Sequence, residues 1–267
     1  MNLPPEAPRI PQPLLDHATL LADRYCILPL LPRHAVFAEI GVGLGHFSDT
    51  VLSVCDPARF IAIDTFDLHT LPTLWGRPSA EALGGLTHIE AYRTRFQAEI
   101  IAGRMQVMQG DSAACLEQIS DGSVDVMYID ADHRYEFVKR DLAAARPKVR
   151  DGGWIIVNDY LMVAALGDAI PYGVVNATNE FMIEHEWGMQ YFALQTQMFC
   201  DVVLRQSMFL KQATLPDKIK ADDAMANDNA ALRETISAMR RSGSWRAMAP
   251  LRAASQLAGR PLRRLFP

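Results

Sequence analysis

The chain has 267 residues, of which 49% are hydrophobic and 21% charged, and this suits one medium-sized domain with appended segments. Its four scattered cysteines include no C-x-x-C pair, so neither a disulfide framework nor a zinc site is indicated. The apolar runs are far shorter than the ~18 residues of a membrane span. The first residues also lack the basic and apolar regions of a secretory signal, so a cytoplasmic location is expected.

The net charge of -5 is unevenly distributed along the chain. From Leu232 onward there are eight arginines and a single acid, Glu234, which gives +7 and leaves -12 on everything before it. An acidic body is a poor match for nucleic acid, so no nucleic-acid partner is expected for it.

The chain opens with an irregular lead-in, because five of its first thirteen residues are proline. Residues 14–31 are then predicted to form a helix that packs beside the core. Together these residues make an N-terminal segment, 1–34, ahead of the main domain.

The first predicted strand, over 35–40, leads into the most informative part of the chain. It is mostly apolar, carries Glu39 near its end, and is followed by glycines on alternate positions, Gly41, Gly43 and Gly45. Glycines at this point let a strand turn sharply into a helix while the backbone comes close to a ligand.

A second apolar run, over 60–63, ends at Asp64, nineteen residues after Gly45. An acid at the tip of the second strand is where a ribose diol would be held. The two strands with their turn therefore indicate a nucleoside-binding site in an α/β domain.

Residues 65–86 interrupt the pattern with prolines and glycines, and a long irregular segment inside a compact domain is often a lid over a site. His69 and Trp75, and His88 just beyond, are candidates for contact with an acceptor or for ordinary packing. The next helix, over 87–102, is predicted to start at a capping box and to stop at a glycine.

Strands and helices continue to alternate after this segment, which implies a parallel sheet with helices on both faces. The predicted elements are strands at 105–108, 124–129 and 154–157 and helices at 113–119 and 135–145.

The end of the body departs from this alternation. A helix near 174–186 leads to two strands, 189–194 and 198–204, joined by three polar residues, and strands joined so tightly must be antiparallel. The predicted fold class is α/β: a doubly wound, mainly parallel, seven-stranded Rossmann-like sheet with an antiparallel C-terminal hairpin, over a domain of residues 35–206.

In an open α/β sheet the ligand lies beyond the carboxyl ends of the strands, so the residues at those ends should converge. They are Glu39, Gly41, Gly43, Asp64, Asp111, Ser112, Asp130 and Asp159. Asp111 is placed to accept from an adenine amino group, and Ser112 could offer a hydroxyl or a backbone N–H. The alternative for Asp111, compatible with the first, is a helix N-cap.

The E-I-G-V-G-x-G segment from Glu39 to Gly45 resembles the first motif of the class I S-adenosylmethionine-dependent methyltransferases. The fingerprint of a nicotinamide site is G-x-G-x-x-G, whereas the sixth position here is His46. An acid before the glycines, such as Glu39, suits a cationic ligand. The C-terminal hairpin also matches the methyltransferase topology. The resemblance implies S-adenosylmethionine as cofactor, with this binding set: Glu39, Gly41, Gly43, Gly45, Asp64, Asp111, Ser112 and Asp130.

The D-A-D-H and N-D segments after the fourth and fifth strands resemble a branch of class I O-methyltransferases in which such segments hold a divalent ion. Carried over to this chain, Asp130 and Asp159 would be oxygen ligands of Mg²⁺. The chain departs from the D-N and E-D pairs of that branch, because Asn158 and Tyr160 flank Asp159. A metal-free site that uses the same residues for hydrogen bonding is the alternative.

Methyl transfer needs an electrophilic methyl group, an aimed nucleophile and a group that takes the proton. His133 is the leading candidate for that base, because an imidazole titrates near neutral pH. The alternatives are a structural histidine hydrogen-bonded to Asp132, and Asp130 as the base of a metal-free site.

Residues 207–230 are predicted to form a polar linker and 231–267 a basic, amphipathic tail. The tail segment that starts at Ser242, S-G-S-W-R-A-M-A-P-L-R, resembles one found at the ends of bacterial glycosyltransferases and methyltransferases that build surface polysaccharides. That resemblance implies a sugar acceptor in polysaccharide biosynthesis. Physically, the tail suits peripheral contact with the anionic inner membrane face or with a protein partner, the alternative being a solvated basic tail.

The sequence as a whole favours an O-methyltransferase acting on a sugar or another small hydroxylated molecule. The alternatives are an oxidoreductase, either hydroxylase-like or nicotinamide-dependent, on a related fold, and a non-catalytic adaptor. The G-x-G-x-G spacing and the hairpin argue against nicotinamide, and an adaptor would have no need for all of Glu39, Asp64, Asp111 and Asp130. The acceptor, transfer to oxygen or nitrogen, and a homo-oligomeric state stay open.

Overall fold

The computed structural model describes residues 6–164, 170–195 and 199–210. These residues form one eight-stranded sheet and two small two-stranded sheets. In chain order the strands are β1 (Thr19–Leu21), β2 (Val36–Ile40), β3 (Arg59–Asp64), β4 (Thr73–Leu74), β5 (Arg77–Pro78), β6 (Met105–Gln109), β7 (Val124–Ile129), β8 (Val149–Val157), β9 (Val163–Ala164), β10 (Ile170–Pro171), β11 (Trp187–Ala193) and β12 (Asp201–Gln206).

Seven α-helices belong to the described residues. They are α1 (His46–Cys55), α2 (Ser79–Ala82), α3 (His88–Arg95), α4 (Gln97–Ile101), α5 (Ser112–Glu117), α6 (Tyr135–Ala145) and α7 (Val174–His185). Among the same residues, no helix combines the length and the apolar character needed to cross a lipid bilayer.

The large sheet has the strand order β1-β11-β12-β8-β7-β2-β3-β6. Only β12 is antiparallel to its neighbours, and every other pairing in this sheet is parallel. The α/β class, the mainly parallel sheet and the antiparallel C-terminal hairpin of β11 and β12 are thus confirmed. The predicted count of seven strands is wrong, because β1 adds an eighth.

The helix predicted over 14–31 is also wrong. Thr19–Leu21 instead forms β1 and pairs in parallel with Tyr191–Ala193. Pro29 cannot donate a hydrogen bond inside a helix, and Asp23 accepts two backbone N–H groups that begin a short 3-10 turn. The strand also covers an edge of β11 that would otherwise present unpaired backbone groups.

The sheet is buried on both faces because its strands alternate between two helix layers. In β2, Ala38 and Ile40 face the core formed with α5, α6 and α7, whereas Phe37 faces the core formed with α1 and α3. This double layer leaves the strand ends as the place where a ligand can approach the sheet.

Helix α3, which follows α2, begins at the capping box predicted from the sequence. Thr87 and Glu90 form a reciprocal capping box, with Thr87 N donating to Glu90 Oε2 over 2.9 Å. The predicted helix is interrupted at Phe96, so the structure has two helices, α3 and α4, where the sequence predicted one.

The polar linker and the basic tail lie outside the described residues from position 211 onward. Within 207–210, Ser207–Phe209 forms a 3-10 turn, and the Phe209 ring lies near Gly152.

Candidate active site

The turn after β2 lies at the point where the sheet changes direction, between β3 on one side and β7 on the other. Gly41 N donates to Ile63 O over 2.8 Å, and Asp130 N donates to Ile40 O over 2.8 Å. Gly41 has φ +83°, and a Cβ there would overlap the backbone carbonyl of Asp130. A glycine is therefore required for two strand ends to meet beside a ligand.

Asp64, at the end of β3, is bonded to this turn. Its Oδ2 accepts from the backbone N–H groups of Val42 (2.9 Å) and Gly43 (3.4 Å), and its Oδ1 accepts from Phe66 N (2.7 Å). The carboxylate thus fixes the shape of the glycine turn and lines the cavity where a ribose is expected.

Asp111 and Ser112 follow β6 and begin α5. Asp111 Oδ1 caps the helix by accepting from Ala113 N (3.1 Å), while its Oδ2 lies 2.8 Å from Arg140 Nη2. Ser112 Oγ donates to Asp141 Oδ1 over 2.5 Å. The N-cap role of Asp111 is present, and both residues also line the cavity.

The other glycines of the motif have different surroundings. The carbonyl of Gly43 lies 2.6 Å from Nε2 of buried His88. Gly45, at φ +80°, begins α1, and a Cβ there would overlap the Phe96 ring. Gly45 therefore serves the packing of the helix, whereas Gly41 and Gly43 border the cavity.

Glu39 is buried behind the glycine turn, with 1% of its surface exposed. Ser48 Oγ donates to its Oε2 over 2.6 Å, and Tyr92 OH donates to Ser48 Oγ over 3.0 Å. Burial raises the pKa of this carboxyl to about 8, although the Ser48 hydrogen bond opposes the shift. The Glu39 side chain therefore belongs to the framework of the turn. Whether its carboxyl is ionised depends on the charges of the neighbouring groups.

Three oxygens at the ends of β7 and β8 surround one imidazole nitrogen. His133 Nε2 lies 3.6 Å from Asp130 Oδ1, 3.6 Å from Asp159 Oδ2 and 3.3 Å from Asn158 Oδ1. The ring is also stacked on Tyr172, with centroids 4.6 Å apart. The structure thus brings together the three residues predicted for the catalytic end: Asp130, His133 and Asp159.

Further polar side chains hold Asn158 in place through hydrogen bonds. Asn158 Nδ2 donates to Asp201 Oδ1 (3.1 Å) and to Tyr128 OH (3.2 Å), and Tyr128 OH donates to Asp201 Oδ2 (2.9 Å). Because the amide nitrogen of Asn158 is used in this way, its oxygen faces His133. We assign the hydrogen on Nε2 of His133 accordingly, which leaves Nδ1 as the basic atom.

Arg24 adds a cation to the same group of side chains. Its guanidinium donates to Tyr128 OH (3.3 Å) and to Gln195 Oε1 (3.1 Å), and its Nε lies 3.7 Å from Asp201 Oδ2. The side chain comes from the N-terminal segment, directly after β1.

Burial governs the charges at this end of the cavity. It raises the pKa of Asp159 to about 7, with nearby Asp201 adding to the shift and Arg24 opposing it. Withdrawal from water also raises the pKa values of Asp130 and Asp201 and lowers the pKa of His133. The imidazole is therefore neutral near pH 7 and able to accept a proton.

The predicted Mg²⁺ site at Asp130 and Asp159 is not supported by the structure. One oxygen of each carboxylate lies 3.6 Å from Nε2 of His133, and no further carboxylate joins them in a metal-binding arrangement among the residues described. Across the part of the chain that the structure describes, no group of three or more His, Cys, Asp or Glu residues is arranged to hold a metal ion.

All of these strand ends open into one cavity of about 760 Å³. Its lining includes Asp64, Asp111, Asp130, His133 and Asp159. A neighbouring cavity of about 1080 Å³ lies under the 65–86 segment and shares Gly41, Gly43, Trp75 and Asp130 with the first.

Sequence reasoning missed Arg24, Tyr128, Gln195 and Asp201 as members of the site. A signal exists for Asp201, since an acid at the start of an apolar strand is unusual and calls for a buried partner. Arg24 carries no such signal, because nothing local distinguishes it from any other arginine near a strand.

Comparisons with known proteins agree with this geometry. Residues 38–160 match the model of a family described as a methyltransferase domain, and this region runs from the first strand of the site to just beyond Asp159. The match supports methyltransferase activity for the region that carries the site. No curated protein matches the chain.

Several solved structures are similar in outline. A precorrin-6y C5,15-methyltransferase from Geobacter metallireducens is 14% identical with a TM-score of 0.45, covering 68% of this chain and 85% of that one. Fibrillarin from Aeropyrum pernix, with S-adenosyl-L-methionine natively bound, is 12% identical with a TM-score of 0.46, covering 67% and 72%. A putative rRNA-methylase from Clostridium thermocellum is 14% identical with a TM-score of 0.46, covering 67% and 90%.

Proposed function

We propose that this protein is an S-adenosylmethionine-dependent methyltransferase that methylates a hydroxyl group of a small molecule or sugar. The observation that carries the proposal is the single cavity lined both by Asp64 and Asp111 and by Asp130 and His133. The first pair suits a ribose and an adenine, and the second pair suits the reacting end of the cofactor. The match of residues 38–160 to a methyltransferase domain supports the same conclusion.

The cofactor would supply the electrophile, and the chain would supply position and a base. When bound, the cofactor would give its methyl group to the acceptor oxygen, and the electron pair of the broken C–S bond would stay on sulfur in S-adenosylhomocysteine. The acceptor proton would go to Nδ1 of His133. The imidazolium formed would be stabilised by Asp130 and Asp159, each 3.6 Å from Nε2.

Charge complementarity supports a sulfonium ligand in this cavity. Three carboxylates, those of Asp130, Asp159 and Asp201, lie near one arginine and a neutral histidine. A cation that approaches this end would favour ionisation of the carboxylates, whereas the neutral sulfur of the product would not. The difference favours product release after transfer.

For the acceptor, we propose a sugar hydroxyl. Support comes from the tail segment around Ser242, which resembles the ends of enzymes that build surface polysaccharides, and this segment lies outside the described residues. Trp75, which is 54% exposed and borders both cavities, offers an apolar face on which a sugar ring could pack.

Titration calorimetry with S-adenosylmethionine, S-adenosylhomocysteine and NAD tests the cofactor. Binding of both adenosyl compounds is expected, together with a loss of about 1–3 kcal/mol in Asp64→Ala, the scale of a lost charged hydrogen bond. Asp121→Ala is the matched control, because Asp121 makes only an exposed pair with Lys148. Tight NAD binding without S-adenosylhomocysteine binding would point to the oxidoreductase alternative.

The base can be tested once an acceptor is found by transfer of labelled methyl groups to a panel of sugars and hydroxylated small molecules. His133→Gln should lower kcat by about 10²–10⁴-fold while leaving the affinity for S-adenosylhomocysteine near that of the wild type. An unchanged kcat in that variant would remove His133 from the chemistry.

A further inference from the structure

We propose that the Trp75 indole recognises the positive charge of the methyl donor, so that the site prefers the sulfonium of S-adenosylmethionine to the neutral sulfur of the product. Trp75 would then be the residue that distinguishes substrate from product, a role that rests on the proposed function. Its place in the fold, the strain of its backbone and the groups around its ring all support this role.

Trp75 lies at the turn of a small hairpin formed by β4 and β5. Leu74 and Arg77 pair across the hairpin, so Trp75 and Gly76 are the two residues of its turn. Leu74 is buried, which anchors the hairpin on the domain directly beside the turn. The indole is thus carried by a short, anchored hairpin within the 65–86 segment.

The backbone of Trp75 is strained. Its φ is +45° and that of Gly76 is +83°, and a type I′ turn requires positive φ at both of these positions. Asparagine, aspartate or glycine usually fills the first position, whereas a bulky side chain there is a clear outlier. Because residues held in such conformations cluster at functional sites, the strain points to a functional reason for a tryptophan at this turn.

Within the part of the chain that the structure describes, the indole has neither an aromatic nor a cationic partner. Trp75 is also 54% exposed, so burial of the ring does little to offset the strain of its backbone. A π face that is not already paired with a cation of the protein is available to a cationic ligand.

The ring reaches the glycine turn of the candidate active site. Its Cη2 atom lies 4.0 Å from the point where a Cβ on Gly43 would stand. Trp75, Gly43 and Asp130 border both the cavity of about 760 Å³ and its larger neighbour. A ligand that runs along the glycine turn to the junction of the two cavities therefore meets both an indole and a carboxyl group.

An indole and a carboxyl group together favour a cation. The face of an indole carries partial negative charge, and tryptophan gives the strongest cation–π contacts of the aromatic side chains. S-adenosylmethionine carries a full positive charge on its sulfur, whereas the sulfur of S-adenosylhomocysteine is neutral. The ring should therefore strengthen binding of the donor more than binding of the product. An indole has two faces, so a sugar ring can pack on one while the other contacts the sulfonium.

Calorimetric titration of both adenosyl compounds into the full chain and its Trp75 variants tests this role. Trp75→Asn removes the ring and supplies a residue that the turn favours, so its melting temperature should equal or exceed that of the wild type. The variant should weaken S-adenosylmethionine at least about threefold more than S-adenosylhomocysteine, because only the first compound carries the charge. Trp75→Phe keeps an aromatic face and should retain most of the wild-type preference.

Leu71→Ala is the matched control for the Trp75 variants. Leu71 lies in the same segment and is 48% exposed, but it borders neither cavity. Its replacement should change neither affinity. If Trp75→Asn fails to fold, Trp75→Leu decides, since it keeps apolar bulk without a π face and should lose the same preference.

Two results would overturn the role of Trp75 alone. One is equal weakening of both compounds in the variants without a π face, which would make the ring a packing contact. The other is unchanged affinity for both compounds, which would leave the ring to the acceptor if the KM for a sugar then rises. Failure of the wild type to bind either compound is a separate outcome, because it would refute the proposed function and the role of Trp75 with it.

Discussion

The two ends of the cavity use the same residue type in opposite ways. At the end proposed to bind the nucleoside, Asp64 and Asp111 accept hydrogen bonds from backbone N–H groups at a turn and a helix start. At the other end, Asp130, Asp159 and Asp201 lie near each other with Arg24 and His133 as their cationic or polar partners. The first end is held by the backbone and the second by side chains from distant parts of the chain.

Under the proposed function, this difference separates binding from reactivity. Carboxylates bonded to the backbone are geometrically fixed, which suits recognition of hydroxyl and amino groups. Buried carboxylates such as Asp130, Asp159 and Asp201 outnumber the cations near them, so their ionisation depends on the charge of a bound ligand. This suits a site where a sulfonium is consumed and a proton is released. Variants that act on one end alone can establish whether the division is real.

The close approach of Gly41 to the Asp130 backbone, where the two ends of the cavity meet, should be the position most sensitive to substitution. Gly41→Ala is expected to lower the free energy of unfolding by about 2–5 kcal/mol, because it adds left-handed strain and overlap with the Asp130 carbonyl. Urea denaturation measures the loss, and calorimetry should show no S-adenosylhomocysteine binding by the variant.

Gly122→Ala is the control for Gly41→Ala, since Gly122 has φ +66° but open space around it. It should lose only about 1–2 kcal/mol from strain and keep its affinity for S-adenosylhomocysteine. Equal losses in the two variants would mean that the close approach to Asp130 has no importance.

The pH dependence of stability should reveal Glu39, a buried acid whose carboxylate accepts a hydrogen bond from Ser48. Its pKa is raised from 4.5 to about 8, so the folded state holds a proton that the unfolded state releases. Stability therefore falls as pH rises through this window. Relative to Glu39→Gln, the wild type should lose on the order of 3 kcal/mol between about pH 5 and pH 8.

Urea denaturation of the wild type and Glu39→Gln at four pH values gives this difference directly. A separation between the two curves that is constant with pH would show that Glu39 is ionised in the folded state. The glutamine retains the size and the hydrogen-bond acceptor for Ser48, which makes the variant a test of charge.

The smallest effect should come from the end proposed for the nucleoside, where Asp111 caps α5 and lines the cavity. Asp111→Ala is expected to lower stability by about 1 kcal/mol through the lost cap and to weaken S-adenosylhomocysteine binding. Thr87→Ala removes the cap of α3 and should lower stability by a similar amount without any effect on binding. Unaltered binding in both variants would reduce Asp111 to its capping role.

Features with a local signal could be predicted from the sequence. The Gly41 turn, the Asp64 position and the Thr87–Glu90 capping box all follow from residue types at fixed short spacings. The hairpin of β11 and β12 could be predicted for the same reason, since its two strands are close in sequence.

Features that depend on distant pairing could not be predicted. The three residues of β1 have no periodicity of their own, and only the open edge of β11 makes them a strand. Arg24 is placed in the site by its hydrogen bond to Gln195, which lies 171 positions away in the sequence. The Mg²⁺ expectation was drawn from motif resemblance, and no metal-binding group of side chains supports it among the residues that the structure describes.

The pairing of β1 with β11 also has a consequence for the order of events during synthesis. Because the partner of β1 is made almost two hundred residues into the chain, the N-terminal segment must wait unpaired while the rest of the sheet is translated. Arg24 lies shortly after β1, and its partner Asp201 begins β12, so this ion pair cannot form until β12 has been made. A nascent chain that stops short of β11 should therefore have neither the completed sheet nor this ion pair.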